Sequence, residues 1–76
     1  MLTLEQTGEV RKYVGEMNGK NILVSQWVYT GRIRVSEIQD FDLVNTVDYG
    51  PGTSNSYVPE ELTRAMEKAA DAYYAE

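Results

Sequence analysis

Asp40 and Asp42 are the residues whose type and spacing come nearest to chemistry. Two carboxylates two positions apart on an extended segment share one strand face, which on its surface suggests a paired acid and base. The rest of the chain gives such a pair no help. It has no histidine and no cysteine, so proton transfer falls to carboxylates, lysines or tyrosines, and a thiol nucleophile is excluded. A working pair also needs a raised pKa, which spacing does not supply, and strand alternation alone accounts for Asp40 and Asp42. Asp40-Phe41-Asp42 lacks the ligand pattern of a calcium loop. Gly50-Pro51-Gly52-Thr53-Ser54 is glycine-rich, but no Gly-Lys-Ser/Thr ending follows to hold phosphates. The expectation is a protein without catalytic residues, metal site or cofactor.

Charge carries more information than any motif. Residues 1–34 hold Arg11, Lys12, Lys20, Arg32 and Arg34 against Glu5, Glu9 and Glu16, a balance of +2. Residues 35–76 hold nine acids against Arg64 and Lys68, a balance of −7. Such asymmetry bears on partners rather than on fold. At 76 residues, folding buries roughly 60–65% of the unfolded chain's surface. A core of that size supplies only about 3–5 kcal/mol of net stability. The longest apolar run, Ile22-Leu23-Val24, is far short of a spanning helix, and Met1–Glu5 has no signal-peptide character. A single cytoplasmic domain over residues 1–76, without membrane association, is expected.

The elements follow from turn chemistry and periodicity. Asn18-Gly19 favours a type I′ hairpin turn, because both central residues must accept positive φ. Strands are predicted on either side, over roughly 9–17 and 20–29. Thr30-Gly31 then punctuates the chain before a third alternating run, Arg32-Ile33-Arg34-Val35. Phe41, Leu43, Val47 and Tyr49 share one parity of a fourth strand, with Asp42, Thr46 and Asp48 on the other as an acidic face. Ser36-Glu37-Ile38-Gln39 also fits a capping box, so a short helical turn competes there. The first eight residues are ambiguous. After the loop at 50–58, Pro59 suits a first helical position, with Glu60 and Glu61 complementing the dipole. Leu62, Ala65, Met66, Ala69, Ala72 and Tyr73 form one apolar stripe on a helix over about 59–75. The fold class is α+β: an antiparallel meander of three to four strands, spanning about 9–49, with one C-terminal helix on one face.

Two-residue loops at both turns would pair Met17 with Lys20, Val10 with Trp27, and Val28 with Ile33. Tyr13, Met17, Ile22, Val24, Val28 and Ile33 then face the helix. Lys12, Ser25, Trp27, Tyr29, Arg32 and Arg34 gather on the opposite face with Val10, Val14 and Leu23. Trp27, Tyr29, Arg32 and Arg34 have the chemistry of a single-stranded nucleic-acid surface. A cation–π pair between Trp27 and Arg34 covering a thin sheet explains the same residues, and the net charge of −5 opposes a polyanion partner.

A small, acidic, cysteine-free chain with a hairpin at Asn18-Gly19 and a helix from Pro59 resembles phage-encoded inhibitors, the anti-CRISPR proteins among them. The resemblance implies a stoichiometric inhibitor that occupies a nucleic-acid-binding or assembly surface of a host complex. The working expectation is thus a non-enzymatic inhibitor or adaptor. Asp40, Asp42, Asp48, Glu60, Glu67 and Asp71 are its expected contacts to a basic protein surface. One alternative is a nucleic-acid binder using Trp27, Tyr29, Arg32 and Arg34. Another is a structural subunit meeting a second copy through Val10, Val14 and Leu23. Monomer and homodimer both remain compatible with the sequence.

Overall fold

The computed structural model describes residues 1–75; Glu76, counted in the acidic half, lies outside the described residues. The chain is α+β, with five strands rather than three to four. They are β1 (Leu2–Gln6), β2 (Val10–Met17), β3 (Lys20–Trp27), β4 (Ile33–Gln39) and β5 (Asp42–Tyr49), followed by α1 (Glu60–Tyr74). The sheet is an antiparallel meander in sequence order. The added strand is β1, in the segment whose sequence is ambiguous. Its Leu2 and Leu4 alternate with Thr3 and Glu5, and both leucines are buried.

The Asn18-Gly19 turn forms as expected. Asn18 has φ 55° and Gly19 φ 78°, and the register pairs Met17 with Lys20 and Val10 with Trp27. The next turn is longer than expected. β3 ends at Trp27, and Val28–Gly31 form a four-residue loop closed by Trp27 N–H to Arg32 C=O at 2.8 Å. The Val28 amide is occupied by the Glu9 carbonyl at 2.9 Å, which holds the loop to the start of β2. Gln26 therefore pairs with Ile33 and Ser25 with Arg34, so the register differs from the expected one by two residues. A shift of two preserves the faces. Val28 nevertheless leaves the core side and is exposed, and Tyr29 and Arg32 become loop residues rather than strand residues.

Segment 36–39 is strand, not helical turn. Ser36 is buried, and its hydroxyl meets that of Thr46 at 2.9 Å across the β4–β5 pair. Opposite Ser36 the partner strand carries a bulge: Val35 pairs with Val47, but Glu37 pairs with Val44. Asn45 takes φ 51° there. The extra residue reverses parity, so Leu43 faces its partner Ile38 while Asp42 faces Gln39. The single acidic face expected for this strand does not exist.

The core joins Leu2, Leu4, Tyr13, Ile22, Val24 and Ile33 of the sheet to Leu62, Met66 and Ala69 of α1. Pro59 is the N-cap rather than the first helical residue, and its carbonyl accepts from the Thr63 amide at 3.1 Å. Ala65 and Ala70 pack at the edge of the core, while Ala72 and Tyr73 are exposed, so the apolar stripe turns away before the helix ends. The second half of the helix lies over β1. There Ala69, Ala72 and Tyr73 line a cavity with Met1–Leu4.

Close approach of β1 to β2 depends on Gly15. A Cβ at this position would come 2.1 Å from the Met1 carbonyl oxygen. Gly15→Ala is therefore expected to push the start of β1 outward and cost about 1–3 kcal/mol, the usual penalty for overpacking. Hydrogen exchange is the check: the β1 amides should lose protection before those of β3. Unchanged protection in β1 would show that the strand absorbs the methyl group.

Candidate functional site

The six acids expected to act together occupy three separate places. Asp48 lies in β5 opposite Arg34. Arg34 donates from Nε to Asp48 Oδ1 at 2.8 Å, and the Arg32 guanidinium stands 3.5 Å from Oδ2. The Arg34 guanidinium also sits over the Trp27 ring, 5.5 Å from its centroid. Trp27, Arg32, Arg34 and Asp48 are thus one assembly, built from three of the residues expected to bind nucleic acid and one expected to bind a basic protein. Tyr29 stands outside it in the exposed β3–β4 loop. The hydrogen bond from Arg34, with the attraction of both arginines, holds the Asp48 carboxyl below its ordinary value of 3.8.

That depression has a definite sign. A carboxylate with a lowered folded-state pKa contributes stability that is fully present above the unfolded value and lost as pH falls through the folded one. Wild type should therefore lose stability below about pH 4 in a way that Asp48→Asn does not, and the two curves should converge in acid. Urea midpoints measured from pH 6 to pH 2 test this. Parallel curves would show that Asp48 is not coupled to the arginines in solution.

On the helix, Glu60, Glu67 and Asp71 recur at seven and four residues and share the outward stripe with Arg64. Glu60 accepts from Arg64 one turn on, an i,i+4 pair in the favourable order. Glu67 lines a small cavity with Arg11, Tyr13 and Met66. These three carboxylates form a partly neutralised surface rather than a pocket.

Asp40 and Asp42 behave differently. Asp40 and Phe41 are the two loop residues of the β4–β5 hairpin, at φ 50° and φ 69°. The values nearly reproduce those of Asn18-Gly19, the φ signature of a type I′ turn. The second position of such a turn suits glycine, because a Cβ at positive φ crowds the following carbonyl. Here it is phenylalanine, and the residue is fully exposed. The ring contributes no burial to the fold and sits on a backbone unfavourable to it. Asp40 and Asp42 flank it, and Leu43, paired with Ile38 at the start of β5, is exposed as well.

The sequence places Phe41 on one parity of a strand with Leu43, Val47 and Tyr49, and its role at the turn is missed. The signal was Asp-Phe between two alternating runs, which has the length of a hairpin turn but not its usual composition. Among the described residues, no three carboxylates approach closely enough to hold a metal ion. Nor, among the described residues, is any helix long and apolar enough to cross a membrane. Comparison with protein-family models, with curated proteins and with solved structures finds no match for this chain.

Proposed function

We propose that this chain is a non-enzymatic protein-binding module, an inhibitor or adaptor that seats the β4–β5 hairpin tip on a basic surface of its partner and so competes with nucleic acid for that surface. The observation that carries the reading is Phe41, fully exposed at positive φ between two carboxylates. Local backbone strain and exposed apolar side chains both concentrate where a protein meets a ligand. Aromatic anchors that fill a partner's pocket carry much of the energy of binding hot spots. Asp40 and Asp42 would meet lysine or arginine around the pocket that takes the ring. Glu60, Glu67 and Asp71 add negative potential that steers the encounter.

The nucleic-acid reading draws less support, since Arg32 and Arg34 already hold Asp48 where they would hold phosphates, and Arg34 covers Trp27.

Parallel affinity capture from the source lysate tests the proposal, with wild type and Phe41→Gly immobilised side by side and eluted in salt steps. Wild type should retain a basic protein that the variant does not. The same proteins on both columns would sink it.

A further inference from the structure

The helix covers only part of the sheet. Between its first turn and strands β3–β5 lies an open groove of about 380 Å³. Ile22, Val35, Val47 and Leu62 give it apolar lining, with Tyr49 as its aromatic member. Its charged lining is Lys20, Glu37 and Glu61, so carboxylates outnumber the cation. Glu37 is the enclosed one of its ion pair: its side chain is 18% exposed and accepts from Lys20 at 3.1 Å, whereas Lys20 is 62% exposed. The Glu37 carboxylate also accepts from Gln39 at 3.1 Å and interacts with the Asn45 side chain, so displacement of Lys20 is what opens lone pairs to a new donor.

An apolar trough ending in net negative charge fits a long aliphatic stem with a cationic head. A planar guanidinium suits it better than an ammonium, because it is weakly hydrated, stacks on an aromatic ring such as that of Tyr49, and can span a carboxylate with two hydrogen bonds. Lys20, held by an exposed ion pair of small worth, can be displaced from Glu37 at little cost.

We propose that this groove takes an arginine side chain of the protein partner, with its stem on Ile22, Val35, Val47 and Leu62 and its guanidinium on Glu37 and Glu61. The inference rests on the reading of the chain as a binder of a basic protein, and it extends the contact from the hairpin tip to the neighbouring groove.

The test uses acetyl-Gly-Arg-Gly-amide as the probe and the norleucine peptide as its uncharged counterpart, titrated into the 15N-labelled chain. The arginine peptide should shift the amides of Glu37, Val47 and Leu62 with a Kd of about 1–10 mM, the range for one small contact set. Glu37→Gln and Glu61→Gln should each weaken it about five- to tenfold, as for loss of a charge-assisted hydrogen bond. Lys20→Ala, which frees Glu37, should strengthen it about threefold by removing a competing cation. Glu61 is exposed on the helix, so its variant keeps the test valid even if the Glu37 variant disturbs the sheet. Phe41→Gly should bind the probe as wild type does, which separates failure of the groove from failure of the hairpin tip. Equal shifts with the norleucine peptide, no shift by about 20 mM arginine peptide, or weaker binding by Lys20→Ala would each overturn the proposal.

Discussion

Phe41→Gly is expected to yield a chain more stable than wild type that no longer holds its partner. The stability gain comes from the backbone. A residue with a Cβ costs about 1–2 kcal/mol in the left-handed region, and Phe41 sits there at φ 69°. Glycine removes that cost, although it also frees the unfolded chain and returns part of the gain. The net should be about 1 kcal/mol, or a rise in Tm of about 4–8 °C for a domain of this size. Nothing in the fold opposes the gain, because the ring is fully exposed. The binding loss comes from the ring. Truncating a central aromatic anchor costs about 2 kcal/mol or more, a factor of about 30 in Kd. Phe41→Ala separates the two effects, since it keeps the strained backbone and discards the anchor. It should lose binding without gaining stability. Thermal melts and titration against the captured partner read both quantities. A Phe41→Gly chain that melts below wild type, or binds as tightly, would remove the basis for placing function at this turn.

The two hairpins show what was legible in the sequence. Asn18-Gly19 names its own turn, and the β2–β3 register follows to the residue. Asp40-Phe41 makes a turn of similar φ values with a residue that turn chemistry disfavours, so alternation across 41–49 read as one uninterrupted strand. The bulge at Asn45 compounded the error. It reverses parity midway along β5, so no single alternation runs from Leu43 to Tyr49. The faces of β2, β3 and β4 survived a wrong loop length because the discrepancy was an even number of residues. The candidate site was therefore half visible. Its carboxylates Asp40 and Asp42 stood out by spacing, while the ring between them was hidden by a rule it breaks.

Charge reads differently once the meander is in place. Arg11, Lys12, Arg32 and Arg34 all fall where β2 begins, β3 ends and β4 begins, which is one end of the sheet. Glu16, Glu37, Asp40 and Asp42 fall at the other end, with Lys20 among them. Glu5 and Glu9 also fall at the first of these ends, where β1 finishes and β2 begins, so along the strand axis that end is only mildly basic while the other is clearly acidic. Asp48 is the back-half acid that crosses to the basic end, and both arginines contact it there. The acidic end carries the exposed Phe41; under the proposed reading, steering toward a basic surface would present that end first.

Leu4→Ala is expected to be the most damaging single substitution near the N-terminus, and nearly to unfold the domain. Leu4 is 2% exposed, in a strand of only five residues. Removing a buried leucine side chain costs about 2–5 kcal/mol, depending on how far the surroundings collapse. Collapse is limited here. Leu4 pairs with the buried Tyr13, and it lines a cavity with Ala69 and Ala72, whose short side chains have no reach to refill the space. The loss is comparable to the about 3–5 kcal/mol that a core of this size supplies. Urea unfolding followed by Trp27 fluorescence should show the midpoint moving to near zero denaturant, whereas Leu43→Ala, at an exposed site, should move it within about 0.5 kcal/mol of wild type. A Leu4→Ala chain with a wild-type midpoint would mean that β1 is dispensable and that β2–β5 fold with the helix alone. Burial argues otherwise: β1 contributes both Leu2 and Leu4 to the core, and the second half of α1 rests on that strand.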